Sequence, residues 1–134
     1  MTVQGIDLVT FVVDDQEDAI AFYVDTLGFE LVEDEQYGPT QRWVEIAPPG
    51  STAALTLKTP EMYDEPERTH LAALIGTGPM VTYRVENCDA LYAQLKESGV
   101  HFDGPPREAS WGVSVTARDP SGNPVVLTES AAVR

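Results

Sequence analysis

The sequence has a single cysteine, Cys88, so no disulfide can form within the chain. It has only two lysines, Lys58 and Lys96, and two histidines, His70 and His101. Eight basic residues stand against 22 acidic ones, a net charge of −14. Such a field repels nucleic-acid phosphates and anionic membrane surfaces, which argues against both as partners. No apolar run approaches the ~20 residues that a bilayer crossing needs. Residues 1–4 carry neither the basic region nor the apolar stretch of a secretory signal. The expectation is a soluble cytoplasmic protein. An acidic, lysine-poor surface also suits a high-salt cytoplasm, where screening removes self-repulsion. The Gly-x-Ser-x-Gly elbow, the phosphate loop and a nearby Cys–His pair are all missing, so no nucleophile–base arrangement is visible. Cys88 follows Asn87, a helix N-cap residue, where the helix dipole would lower a thiol pKa. The plainer reading is a small buried hydrophobe.

What is present is a module written twice. The chain of 134 residues, 43% hydrophobic, is read as one domain over 1–134. Residues 6–13 are β-branched and aromatic and predict a strand. Asp14-Asp15 offer a helix start, and Ala19, Ile20, Phe22, Tyr23 and Leu27 recur at helical spacing before Gly28 stops the helix. Strands over 29–35, 42–47 and 53–58 follow, separated by Gly38-Pro39 and Pro48-Pro49-Gly50. The order then repeats. Val81-Thr82-Tyr83 answers Val9-Thr10-Phe11 at an offset of 72. Ala90, Leu91 and Leu95 stripe a second helix that Gly99 stops, and Asp119-Pro120-Ser121-Gly122-Asn123 marks a turn before the last strand. Module 1 is placed at about 5–59, a linker with at most a helical turn at about 60–77, and module 2 at about 78–130.

Val12-Val13-Asp14-Asp15, Ala19-Ile20-Ala21-Phe22-Tyr23 and Leu27-Gly28-Phe29, with the Asp119–Asn123 turn, closely resemble the vicinal-oxygen-chelate superfamily of glyoxalases, bleomycin-resistance proteins and extradiol dioxygenases. The resemblance implies an α+β fold in which two βαβββ modules form a U-shaped open barrel around a cavity. In the family's enzymes a divalent metal sits there, held mostly by His and Glu, and acts as a Lewis acid. Many members pair their modules across a dimer, so a homodimer is implied.

Strand alternation assigns the cavity side. Val9, Phe11 and Val13 should pack under the helix, leaving Leu8, Thr10 and Val12 to face the cavity. By the same parity Thr56 and Lys58, then Met80, Thr82 and Arg84, then Val126 and Thr128, face inward. Trp43 and Trp111 are placed at the cavity mouth, although the parity of their strands is unsettled. Arg84 offers a bidentate contact to a carboxylate or phosphate, or else is a rim cation paired with a carboxylate.

Aligned to the family pattern, the four metal-ligand positions fall at Leu8, Thr56, Met80 and Val126. The duplication supports this: Leu8 and Met80 differ by 72, and Thr56 and Val126 by 70, the same as Leu57 and Leu127. Leu and Val donate nothing, a thioether suits only soft ions, and a neutral hydroxyl cannot hold a divalent ion alone. No metal and no other cofactor is expected. Relocated ligands would have to come from His70, His101, Asp7, Glu45 or Glu129. His70 reads as solvated in a polar loop, Glu45 as an exposed strand face, and Asp7 and Glu129 as strand-end charges reaching water.

The reading that follows is a protein that binds a small organic molecule in the cavity without metal chemistry. The alternatives are a glyoxalase-like lyase or dioxygenase-type enzyme with relocated metal ligands, and an interaction module with a filled cavity.

Overall fold

A computed structural model describes residues 1–131 of the chain, so the last three positions of the 1–134 span lie outside the described residues. Strand β1 (Leu8–Val12) leads into α1 (Gln16–Ile20), which continues as a wider π turn over Ala21–Thr26. Strands β2 (Glu30–Gly38), β3 (Gln41–Ala47) and β4 (Ala54–Lys58) complete the first module. The linker holds a 3-10 turn at Pro60–Met62 and helix α2 (Glu67–Ala72). The second module is β5 (Val81–Arg84), α3 (Cys88–Glu97), β6 (His101–Phe102), β7 (Arg107–Ala109), β8 (Gly112–Arg118) and β9 (Pro124–Ser130).

Each module forms its own sheet. The first has the order β1-β4-β3-β2, with β1 and β4 parallel, as a helical crossover requires. The second has the order β5-β9-β8-β6, again with the first and last strands parallel, and β7 also pairs with β8. The repeat read from the sequence is therefore a repeat of topology. Its one departure is the second strand of module 2, which is broken into β6 and β7. Gly104-Pro105-Pro106 lies between them, and a proline has no N–H to give to a ladder.

Helix starts fall where the sequence puts them. Asp15 caps α1 by accepting from the Asp18 N–H at 3.0 Å, and Asn87 caps α3 by accepting from Ala90 at 3.0 Å. Phe22 and Tyr23 on the π turn are buried. His70 lies on exposed α2 rather than in a loop.

One core serves both modules. Phe11, Val13, Tyr23, Val44, Ile46 and Leu57 from the first half join Cys88, Leu95, Val115, Ala117, Val125 and Leu127 from the second. These are the helix-side positions of each strand, as alternation predicts. The Phe29 and Tyr83 rings meet across the seam at 5.4 Å, in an edge-on packing that aromatic quadrupoles favour.

Polar groups close the seam. Asn123, wholly buried, donates to the Val12 carbonyl at 3.1 Å and accepts from the Gly78 N–H at 3.0 Å. Ser121 donates to Asp14 Oδ1 at 2.8 Å and accepts from the Asp14 N–H at 3.0 Å. The Asp119–Asn123 turn is thus the joint between the modules.

Candidate functional site

The register fixes which side chains share the face of each sheet turned away from the core. In the first sheet, Thr10 lies opposite Thr56, Thr56 opposite Glu45, and Glu45 opposite Glu33. Two residues along, Trp43 lies opposite Glu35 on the same face. This settles the parity of Trp43, which alternation alone left open. In the second sheet, Thr82 lies opposite Val126 and Val126 opposite Thr116.

Glu45 is the centre of the first face. Its carboxylate accepts the Trp43 indole N–H at 2.7 Å, and it is only half-buried. Glu33 beside it is pushed above the usual carboxylate range, first by desolvation and then by the charge of Glu45 and a hydrogen bond shared with it. The Lys58 ammonium sits 5.3 Å from the centre of the Trp43 ring and 5.5 Å from that of Tyr63, within cation–π range of both. The face is therefore aromatic and acidic, with one cation stacked on its rings.

The expected site residues divide as follows. Leu8 lines a concavity of about 350 Å³ on the first face, together with Val32, Glu45, Ala47 and Ala54. Thr82 and Arg84 line a separate one of about 380 Å³, bordered by the turn at residues 48–51. Thr10 is exposed, while Val126 and Thr128 are half-buried. Met80 and Trp111 are open to solvent, 72% and 54% exposed. Thr56 is buried, and its hydroxyl donates to the Val44 carbonyl at 3.0 Å, which leaves it little to offer a ligand. A wider groove of about 790 Å³ runs on the helix side, between Phe22 and Thr26 of the π turn and His101 and Arg118 of the second sheet.

The metal that the resemblance implies does not fit the four positions assigned to its ligands. Leu8 and Val126 have no lone pairs, Thr56 is spent on the backbone, and Met80 is a soft thioether in water. Among the described residues no three His, Cys, Asp or Glu side chains are grouped to hold an ion elsewhere. Glu33 and Glu45 stop at two.

Two residues behave differently from the sequence reading. Glu129 does not reach water: it is buried and accepts the Cys88 N–H at 2.9 Å, at the start of α3. That position suits an anion at a helix N-terminus. Cys88 is buried too, and burial, with Asp89 and Glu129 nearby, pushes its thiol up rather than down. The helix-start effect loses to desolvation here.

Comparison with known proteins agrees with this architecture. The family model described as the Glyoxalase/Bleomycin resistance protein/Dioxygenase superfamily matches residues 5–127. A superfamily member from Sphaerobacter thermophilus is 34% identical, with a TM-score of 0.79 over 96% of this chain and 98% of that one. TnmS3, an antibiotic-binding protein from Streptomyces sp. CB03234, is 33% identical, with a TM-score of 0.77 over 98% of this chain and 99% of its own. The uncharacterised protein YetH of Bacillus subtilis is 28% identical over 95% of this chain and 99% of its length. No helix among the described residues is long and apolar enough to cross a membrane.

Proposed function

The chain belongs to the glyoxalase/bleomycin resistance protein/dioxygenase superfamily, and from that membership we propose that it binds a small organic molecule without metal-assisted chemistry. One observation carries this reading. The four mirrored positions that alignment to the family pattern assigns to the ion's ligands hold Leu8, Thr56, Met80 and Val126, a set that cannot coordinate a hard divalent cation. The likeness to an antibiotic-binding protein at 33% identity over nearly the whole chain supports it.

The binding cleft in this reading needs two copies. Each sheet face is open in the single chain, with Leu8, Met80 and Trp111 exposed. The first face carries Glu33, Glu35 and Glu45, and the second carries Arg84. Setting the first face of one copy across from the second face of another leaves a cleft between an acidic wall and a basic one and shelters the apolar residues. Repeating this by two-fold symmetry gives a homodimer with two equivalent clefts, each walled by Trp43 from one copy and Trp111 from the other. Planar aromatic ligands suit such walls.

The test is a panel of hydrophobic antibiotics and aromatic metabolites screened by melting temperature, with metal analysis of the dialysed protein alongside. A saturable upward shift without consumption of the compound is the expected result. Stoichiometric Fe, Mn, Ni or Zn surviving dialysis would instead favour an enzyme with ligands drawn from Glu33 and Glu45.

A further inference from the structure

We infer that the open face of the second sheet is an anion-receiving wall, which holds a carboxylate or phosphate group carried by the small molecule; this rests on the binding reading above. The observation is a row of four residues across the sheet. Arg84 lies opposite Thr128, Thr128 opposite Ser114, and Ser114 opposite Arg107. Directly opposed residues project from the same face. With neighbouring strands roughly 4.8 Å apart, the two arginines start about 14 Å from each other and bracket two hydroxyls.

The surroundings make the row unusual. Of the five described arginines, Arg42 and Arg118 are held in ion pairs and Arg68 donates to the Tyr63 carbonyl. Arg42 binds Asp34 through two hydrogen bonds of 2.8 Å and also pairs with Glu17. Arg118 grips Asp103 at 2.9 and 2.7 Å. Arg84 and Arg107 have no ion-pair partner among the described residues. The neighbouring row, Thr82, Val126 and Thr116, has no carboxylate either.

Three of the nearby acids are turned away or engaged. Glu108 and Glu129 each lie opposite Val113 and so project to the other side of the sheet. Asp103, which shares a concavity with Arg107, is held by Arg118. Glu86 lies beyond the end of β5. The corresponding face of the first module carries Glu33, Glu35 and Glu45 instead.

Two forked guanidiniums with hydroxyl donors between them match the oxygens of a carboxylate or phosphate. The strongly negative chain as a whole excludes polyanions from the same surface. What remains is a small ligand with a localised anionic group. Arg84 borders one concavity with Thr82 and residues 48–51, and Arg107 borders another with Ser114 and Thr116.

The experiment is a titration of the isotope-labelled protein, at fixed ionic strength, with naphthoate, its neutral amide and inorganic phosphate. Naphthoate should bind about tenfold tighter than the amide and move the backbone signals of Thr128 and Ser114, as charge-assisted contacts predict. In the R84Q/R107Q double variant that preference should vanish with the melting temperature unchanged, and R84K/R107K should keep part of it. Phosphate that displaces naphthoate assigns the row to either anion; phosphate that does not assigns it to carboxylates with an apolar body. Equal binding of acid and amide overturns the inference and leaves the binding reading standing. So does naphthoate binding that survives the double variant. Failure of all three probes also overturns it, and the screen with neutral compounds then decides the broader reading separately.

Discussion

The phenol of Tyr23 donates to Asp119 Oδ2 at 2.9 Å, joining residues 96 positions apart in the chain. Asp119 is buried, and its two oxygens accept four donors: Tyr23 and the Asn123 amide on one, the Ser121 and Asn123 N–H groups on the other. A buried carboxylate is tolerable only with this degree of satisfaction. Burial and the adjacent carboxylate push the Tyr23 phenol far above its ordinary range.

Tyr23→Phe should destabilise the protein by about 1–3 kcal/mol, because it strips one donor from a buried acceptor and leaves the ring in place. Asp119→Ala, which frees four donors at once, should cost more. Urea unfolding midpoints measure both, and an unmoved midpoint for Tyr23→Phe would sink the account.

Gly112→Ala should be among the most damaging single changes, at more than about 4 kcal/mol. The backbone there has φ +148, and an added Cβ would meet the Glu129 carbonyl oxygen at 2.0 Å. Gly104→Ala is the control: nothing lies within 4 Å of its Cβ position, so it should change stability by less than about 0.5 kcal/mol. Thermal melts of the pair decide the matter.

The carboxyl of Glu33 lies above its usual range, so the folded protein holds that proton more tightly than the unfolded chain. Its stabilising contribution is complete below the ordinary glutamate value and is lost as pH rises through the raised one. Glu33→Gln should therefore raise the melting temperature at neutral pH and give no advantage near pH ~4. Asp34 and Asp103 work in the opposite sense: hydrogen bonds from Arg42 and Arg118 lower them. Their contribution is present above the ordinary aspartate value and disappears as pH falls through the lowered one, so Arg42→Gln should flatten the acid limb of the stability curve.

Cys88 should resist thiol reagents in the native protein and react fully in denaturant. It has no exposed surface, and its Sγ lies 3.7 Å from the Leu127 carbonyl. Fast native-state labelling would contradict its burial.

Met80→Glu and Trp111→Glu change residues already open to solvent, so the single chain should lose less than about 0.5 kcal/mol. The proposed dimer should weaken, since each places a charge where the proposal buries an apolar side chain. Sedimentation velocity over a concentration series distinguishes the two effects.

Much of the fold was legible in the residues, and for physical reasons. Phe11 and Val13 alternate with Thr10 and Val12, and that alternation is what separates core from open face. Asp15 and Asn87 cap because their side chains reach back to the helix start. The facing of Glu45 and Glu33 was not legible, because a bulge between Leu31 and Glu33 shifts the register and breaks simple counting. The Arg84–Arg107 row was hidden by the broken second strand of module 2. Until β7 is known to pair with β8, Arg107 looks like a loop residue. The buried place of Glu129 was not legible either, because strand position says nothing of a helix N-terminus arriving from elsewhere. Whether Leu8 and Met80 share one cleft is a question of assembly, which a single chain's pattern does not encode.

Asn123 touches the exit of β1, the end of the linker and its own turn with one side chain. A chain built from a doubled unit would ordinarily be free to melt in two steps, one per copy. Here the first half ends its opening strand on an amide owned by the second, so neither half retains its edge once the other is gone. Heat should therefore dismantle the molecule in a single endotherm, and severed halves should not persist alone.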